Sequence, residues 1–591
     1  MGEFKYVNNN TVFGFGNDIL RNILHSRGIE NTDLFLNLNE SVIEDFSTYD
    51  NIEECAKLYI HHIRNESDIV YLVDFDTDGF TSSSEGIRYT NDICTYLNKK
   101  CNINYVLHSH KAHGLDDKEA FQRILELKPN LVIVPDAGSN NLNELLYLKN
   151  NNIDYIVLDH HKAYKNKLKE SNLYNMIVNN QLSDNICNKD MTGVGVVYKF
   201  NKCVDSLLKT NYADKYLDLV AFGLVADSAD MRNSECRYLV EKGMELIKNN
   251  NGSCKLLSAI CKDKSYSMNN NITINGMAFY MIPAVNCIIR GGTVEEREIL
   301  FKGLLGQSEK FIDKVRGKGE VEFDIEGYIV RLYGKLKRKQ DKTVTKYVDE
   351  LSEQIEQCKL NTMEIIVVNG DEIEDSTYNR VIVNKLADKY KKHTILLKHF
   401  YNNIYGGSAS GYKNKDIKDF RTWCNETNLF DMAEGHNMAF GTKIKQENIQ
   451  KLYDYISTIP STDILCYYVD GVYNENTLND NMIKLIGSFE NVWGGKLDEP
   501  LFALEDINIS SDNVAIMGTN KTTLKLIHNG ISFIKFKSNE DEYNEIIKNK
   551  NNKFTIIGKF KINEYNNSVN PQILIEDYMF EKTNEIKQFR F

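Results

Sequence analysis

The sequence predicts an α/β chain with a parallel-sheet domain, a long linking helix, a second α/β domain and a C-terminal β-barrel. Three observations predict it. Near the N-terminus, short apolar runs alternate with helical patterns. Between 325 and 358 a polar stretch reads as one uninterrupted helix. Toward the C-terminus, strand-like segments follow one another with only turn residues between them.

Residues 1–60 read as an N-terminal segment and 61–324 as the first domain. Its apolar runs, "DIVYLVDFD" (68–76), "NINYVLHS" (102–109), "NLVIVPDAG" (130–138) and "DYIVLDHH" (154–161), each end in polar residues. Helical patterns at 82–100 and 116–128 lie between them. This β-α-β rhythm gives a parallel sheet with helices on its faces. Ligands in such sheets bind at the carboxyl ends of the strands. Residues 240–310 read as helices with short connections. The helix at 325–358 is polar along its length, as helices that bridge domains are. A second α/β segment, 359–465, shows a strand at 362–370, a helix at 377–391 and a strand at 393–399. Residues 490–591, with "TTLKLIHNG", "ISFIKFKS" and "FTIIGKFKINEY", suit a small barrel.

Composition narrows the class. The chain has 591 residues, 42% hydrophobic and 26% charged, which is ordinary globular usage with room for several domains. No stretch approaches the ~20 apolar residues of a membrane span. The first residues lack the basic start and apolar core of a signal peptide. A cytoplasmic location without a membrane partner is expected. The 12 cysteines form no C-x-x-C pair, so neither a thiolate zinc site nor a disulfide framework is expected. The net charge of −12 by itself weighs against phosphate contacts. It is a whole-chain sum, however, and a local groove can still be basic. Basic clusters occur at 314–319, 331–339 and 389–392.

Chemistry concentrates at the ends of the apolar runs. "VDFDTDG" (73–79) alternates Asp74, Asp76 and Asp78. On an extended strand alternate residues share a face, with Asp78 expected in the turn that Gly79 permits. Three like charges this close repel unless a cation holds them. An EF-hand loop is excluded because no Glu stands at its twelfth position. Asp136 ends another apolar run, Asp159, His160 and His161 end a third, and Asp227 closes "LVAFGLVA" (219–226), read as a further strand. Oxygen ligands with imidazoles suit Mn²⁺ or Mg²⁺ better than zinc thiolate chemistry. So many carboxylates suit two ions, which ~4 Å apart can bind a phosphodiester and activate a water. Any one of these aspartates alone reads equally as a helix N-cap. The set does not.

In this order the elements resemble the DHH phosphoesterase superfamily, and most of all its RecJ-type single-strand exonucleases. "VDFDTDGFTSS" (73–83), "VPDAGSNN" (134–141) and "LDHHKA" (158–163) are similar to that family's first motifs. "TGVGVVYKF" (192–200) with "LVAFGLVADSADM" (219–231) is similar to its last catalytic stretch. "MIPAVNCIIRGG" (281–292) looks like the segment that carries a substrate-binding Asn and Arg. "IYGGSASGYKNKDI" (404–417) and "EGHNMAFGTKI" (434–444) resemble the DHH-associated domain, and 559–578 resembles the closing strands of an oligonucleotide-binding (OB) barrel. The resemblance covers roughly residues 60–580.

The resemblance implies roles. Asp74, Asp76, Asp78, Asp136, His160 and Asp227 would ligate metal. Asp159 would orient or ligate nearby, and His161 would touch the scissile phosphate or act as an acid. Asn286 and Arg290 would bind substrate. Backbone N–H groups of the glycine loop (Gly406, Gly407, Ser408) and His436 would grip phosphates, and Tyr565 would stack a base. Tyr565 reads equally as packing, and His436 as a hydrogen bonder at a helix start. The chain departs from the family pattern at Ser410 (an Arg elsewhere), Glu434 (a Gly) and Leu72 (a His in some relatives). No matched carboxylate or histidine of the metal set is missing.

The implied activity is metal-dependent hydrolysis of single-stranded DNA, 5′-to-3′, to mononucleotides, by a water activated between two Mn²⁺ or Mg²⁺ ions, in recombination or repair. A single-strand-binding protein or a helicase is the protein partner the resemblance suggests. Two alternatives stand beside it: a DHH phosphodiesterase for short oligoribonucleotides or cyclic dinucleotides, and a non-catalytic nucleic-acid-binding scaffold. Chains of the former kind generally lack an OB barrel, so the C-terminal residues separate the two.

Overall fold

The computed structural model describes residues 4–8, 17–185, 187–462, 464–565 and 568–582. The chain divides into two compact units. One holds Gly28–Lys337 with Asn491–Asp498. The other holds Met1–Arg27, Arg338–Glu490 and Glu499–Phe591.

The first unit is built on five strands, β1 (Asp68–Val73), β2 (Asn102–Leu107), β3 (Leu131–Pro135), β4 (Asp154–Asp159) and β5 (Ile177–Asn179). They lie in the order β2-β1-β3-β4-β5, and every pairing is parallel. Ile69, Tyr71, Val73, Ile133 and Ile156 enter one core, whereas Val70, Leu72, Val132, Val134 and Val157 enter the other. Burial on both faces is why these strands read as continuous apolar runs. The order reverses between β1 and β3, and such a switch point leaves a crevice at the carboxyl ends.

The strands stop before their polar residues. β1 ends at Val73, and α1 (Thr77–Tyr96) starts earlier than the expected residue 82 because Asp76 caps it. The Asp76 carboxylate accepts the Gly79 N–H at 3.0 Å. Asp78 therefore sits in the first turn of a helix, not in a loop turn. Gly79 serves close approach: a Cβ there would lie 2.6 Å from the Asp74 Cβ and 2.8 Å from its carbonyl oxygen.

α2 (Gly193–Leu208) and α3 (Leu217–Ala226) pack against α1. α3 corrects the strand expected before Asp227. It is buried from Asp218 to Val225, so no polar stripe betrays its 3.6-residue period. A continuous apolar run does not tell a buried helix from a buried strand. A π-helical turn, Met277–Met281, leads into α4 (Ile282–Gly291). The basic cluster at 314–319 is the tip of an antiparallel hairpin, Lys310–Val315 with Gly319–Asp324. α5 (Ile325–Gln357) is one helix of 33 residues, as its sequence predicts.

The second unit contains β6 (Ile365–Asn369), α6 (Asn379–Tyr390), β7 (His393–Tyr401), β8 (Ile404–Ser410), β9 (Phe430–His436) and β10 (Ala439–Lys445). The sheet order is β9-β10-β8-β7-β6, with β8 antiparallel to both neighbours. Strand Phe4–Asn8 pairs in parallel with Leu465–Val469.

A last sheet comprises β11 (Gly471–Asn474), β12 (Phe502–Ser510), β13 (Val514–Met517), β14 (Thr523–His528), β15 (Ile531–Phe536), β16 (Asn551–Tyr565) and β17 (Ser568–Lys582). It begins before the expected residue 490. Its order is β11-β12-β16-β17-β15-β14-β13. The expected barrel is thus a seven-stranded sheet that does not close, since the outer strands β11 and β13 do not pair with each other. Irregularities at Leu504/Ile507 and Ile557/Gly558 bend the long strands, which is how a sheet curls without pairing its ends.

Candidate metal centre

The residues at the switch point converge within one unit. Asp74 and Asp76 follow β1, Asp78 opens α1, Asp136 follows β3, His160 follows β4 and Asp227 caps α3. Their ligand atoms form three groups, each within 4.8 Å: Asp74–Asp76–Asp136, Asp78–His160–Asp227 and Asp136–His160–His161. Asp136 adopts φ +62°, in the left-handed region. Asp tolerates that conformation better than most residues, and such strain concentrates at functional sites.

Two helix glycines make room. A Cβ at Gly193 would lie 2.3 Å from the Asp136 Oδ1. At Gly223 it would lie 2.5 Å from the Thr81 Oγ1 and 2.6 Å from the Asp78 Oδ1. The Asp78 carboxylate accepts the Gly193 N–H at 2.8 Å and the Val194 N–H at 3.1 Å. These are unpaired donors of the first turn of α2, where the helix dipole favours negative charge.

Both carboxylate oxygens of Asp159 are engaged by neighbouring groups. Its Oδ1 accepts the backbone N–H groups of His160 (2.7 Å) and His161 (3.1 Å) and faces the His161 Nδ1 at 2.8 Å. Its Oδ2 accepts the Ser139 N–H at 3.0 Å. These bonds outweigh burial and hold the Asp159 carboxyl well below its ordinary range. Burial would lower the His161 pKa, but the bond to Asp159 and its charge push it up to about 9. Burial and the neighbouring His161 lower that of His160.

Two further histidines, outside the motifs, stand beside Asp74. The His113 Nδ1 lies 2.8 Å from the Asp74 Oδ2, and the Gly114 N–H donates to the Asp74 Oδ1 at 3.0 Å. The His108 Nδ1 lies 2.8 Å from the Asp117 Oδ2, with its Nε2 3.9 Å from the Asp74 Oδ1. Both belong to "HSHKAHG" directly after β2, and a run of histidines at a strand end was the available signal. A cavity of about 410 Å³ opens here, lined by His110, His113, Asn140, Asn141, Asp159 and His161 among others.

The donor set fits divalent cations. Burial, then repulsion from Asp227 and Asp76, pushes the Asp78 carboxyl up to about 8. Burial and the surrounding carboxylates push Asp136 well up, and burial with Asp74 raises Asp76. A cation reverses that penalty. The Asp136 Oδ1 lies 3.1 Å from the His160 Nε2, yet it is buried without a hydrogen-bond partner. Two lone-pair atoms at that spacing match adjacent ligands of an octahedral ion, about 3.0 Å apart for bonds of ~2.1 Å.

The expected substrate residues divide. Asn286 accepts the Thr77 Oγ1–H at 2.9 Å, and Arg290, exposed one turn further along α4, acts on the charge of Asp76. Gly406, Gly407 and Ser408 do not form a loop. They lie inside β8, the middle strand of its sheet, so their N–H groups face β7 and β10. A backbone grip on phosphate is closed to them by the ladder. His436 ends β9 and is exposed, not at a helix start. Tyr565 ends β16, and its side chain lies outside the described residues.

Comparison with known proteins agrees with this architecture. The model of the DHH family, N-terminal domain, matches residues 68–224, and that of the RecJ OB domain matches 469–577. YorK, a protein of the SPbeta prophage of Bacillus subtilis (strain 168) named for a conjectured single-strand DNA-specific exonuclease, is 34% identical over 593 residues, 99% of each chain. The single-stranded-DNA-specific exonuclease RecJ of Bacillus subtilis (strain 168) is 23% identical, over 95% of this chain and 67% of its own. The crystal structure of RecJ from Thermus thermophilus in complex with Mn²⁺ superposes with a TM-score of 0.70 at 16% identity, covering 98% of this chain and 79% of that one. With a relative this similar along the whole chain, and the RecJ fold throughout, this protein belongs to the RecJ-like group of the DHH family.

Proposed function

We propose that the protein is a metal-dependent exonuclease that hydrolyses single-stranded DNA from its 5′ end to mononucleotides, with two Mn²⁺ or Mg²⁺ ions, in recombination or repair. One observation carries the reading: Asp136 and His160 are each shared between neighbouring ligand groups in one crevice. Asp74 and Asp76 with Asp136 would hold one ion, and Asp78, His160 and Asp227, again with Asp136, the other. The ions, when bound, supply a hydroxide nucleophile at neutral pH and neutralise charge on the phosphate and the leaving oxygen.

The chain's own residues do the rest. His161, tied at Nδ1 to Asp159, keeps an imidazolium at neutral pH and presents Nε2–H to the scissile phosphate. Asn286 and Arg290 hold the strand beside Asp76. The cavity lined by His113 and His161 takes the terminal nucleotide. The C-terminal sheet offers surface for further single strand, which a hydrolase of dinucleotides does not need. The substrate agrees with the names of YorK and RecJ. Polarity, product, a helicase or single-strand-binding partner and a cytoplasmic location come from the family resemblance. No described helix is long and apolar enough to cross a membrane.

The test is product analysis with Mn²⁺ on single-stranded DNA, duplex DNA and a cyclic dinucleotide. The expected result is mononucleotides bearing a 5′-phosphate from single strands, intact duplex, and no reaction in EDTA. Cleavage of the cyclic dinucleotide alone would make the protein a short-substrate phosphodiesterase. Tight binding of single strands without turnover would make it a scaffold.

A further inference from the structure

The β7–β8 hairpin carries aromatic side chains that its own fold does not use. Its turn residues, Asn402 and Asn403, have φ of 43° and 60°, a two-residue turn whose twist matches the strands. His399 pairs with Tyr405 and Tyr401 with Ile404, which leaves Phe400 as the extra residue of a bulge. Bulges re-aim side chains. The stem is pinned: the His399 N–H donates to the Asp371 carboxylate at 2.6 Å, and the Gln446 N–H to the Asn403 carbonyl at 2.8 Å. On this fixed support Phe400 is 62% exposed and Tyr401 48% exposed. Their ring centroids lie 5.0 Å apart, and the Lys443 Nζ lies 6.0 Å from the Phe400 ring.

The adjoining sheet surface, beyond the part of β8 that α6 covers, is poor in side chains. Gly406 pairs with Lys443, and Ser408 with Gly441, so these four residues share one face. Gly407 is glycine for packing, because a Cβ there would fall 1.9 Å from the Leu396 carbonyl oxygen. Packing makes no such demand at Gly406 and Gly441, where the nearest atoms would lie 3.4 Å and 3.7 Å from a Cβ. Neither has a positive φ. A patch opened by two glycines, with an exposed ring and an ammonium at its edge, suits a flat, anionic ligand. Glu434, opposite Gly441, makes the far end negative and leaves the phosphate to the Lys443 end.

We propose that Phe400, with Lys443 beside it, is a base-stacking platform for single-stranded DNA at the edge of the Gly406–Gly441 patch of β8 and β10. The platform rests on the single-strand reading above and replaces the backbone grip that the ladder excludes. A ring face accepts any base, so it confers no sequence preference.

The experiment is fluorescence anisotropy of the full chain with a labelled single strand of about 20 nucleotides, in EDTA so that nothing is cut. Phe400→Ala should weaken binding about tenfold and Phe400→Trp should restore it. Lys443→Gln should weaken it and lower the salt slope by about 0.7. Circular dichroism and melting of the variants should match the wild type, because Phe400 is exposed and Lys443 half-buried, and neither belongs to a core cluster. Wild-type affinity in Phe400→Ala overturns the platform. If that variant instead loses self-association, the surface belongs to a second copy of the chain. A wild type that binds no single strand overturns the underlying reading, and the platform with it.

Discussion

Asp136 shows how one side chain is constrained from several directions. The end of β3 sets its backbone at positive φ, Gly193 vacates the space beside its Oδ1, and His160 faces that same oxygen. Asp136→Ala should lower the hydrolysis rate by more than about a hundredfold, since even outer-shell changes at metal sites cost 10–100-fold. Asp159→Asn should cost about 10–100-fold while Mn²⁺ still raises the melting temperature, because Asp159 bonds to His161 and not to an ion. Loss of the Mn²⁺ response in that variant would make Asp159 a ligand. The sign of a pH effect follows from Asp78, whose carboxyl moves from an ordinary 3.8 to about 8. Between those values the folded metal-free protein retains a proton that the unfolded chain has lost, so its stability falls as pH rises through that window. Mn²⁺ relieves the repulsion. It should raise the melting temperature by about 5 °C at pH 8 and by less at pH 5.5, where protons compete. Equal shifts by calorimetry would show that protons do not compete for the site. The carboxylates and the His pair were legible in the sequence because residue type and strand-end position coincide. His113 was not, because its contact with Asp74 is made by a loop that closes across 39 positions of sequence.

At the scale of elements, the apolar run before Asp227 is a helix where its composition suggests a strand. α3 is buried on all sides, and the only clue to its period is geometric. The two helix glycines show what the helices are for. Alanine has the higher helix propensity, by about 1 kcal/mol, so helix formation alone would favour Gly193→Ala and Gly223→Ala. The structure puts each new Cβ against a carboxylate oxygen. Both variants should keep wild-type helix content by circular dichroism yet lose more than about tenfold in activity, the cost of a misplaced ligand. Full activity in both would show that the centre tolerates an ångström of displacement. The glycines of β8 teach the opposite lesson. The resemblance implies a glycine-rich strand and a phosphate-gripping loop at the same residues, and sheet pairing on both sides leaves only the strand.

For the whole molecule, the order of parts was readable: the β-α-β alternation, the helix at Ile325–Gln357 and the run of C-terminal strands each leave a local signature. The open edge of the last sheet was not, because closure depends on which strands pair, and short apolar runs do not encode that. Nor was the pairing of Phe4–Asn8 with Leu465–Val469, a contact across most of the chain's length. On the proposed reading, the protein is an enzyme that consumes a single strand from one end at a carboxylate-rich metal centre. A time course on a 3′-labelled single-stranded DNA of about 30 nucleotides with Mn²⁺, beside Asp136→Ala, tests that claim most directly. The wild type should shorten the strand stepwise from the 5′ end, and the variant should leave it whole. An uncut strand, or shortening that survives loss of Asp136, would contradict it.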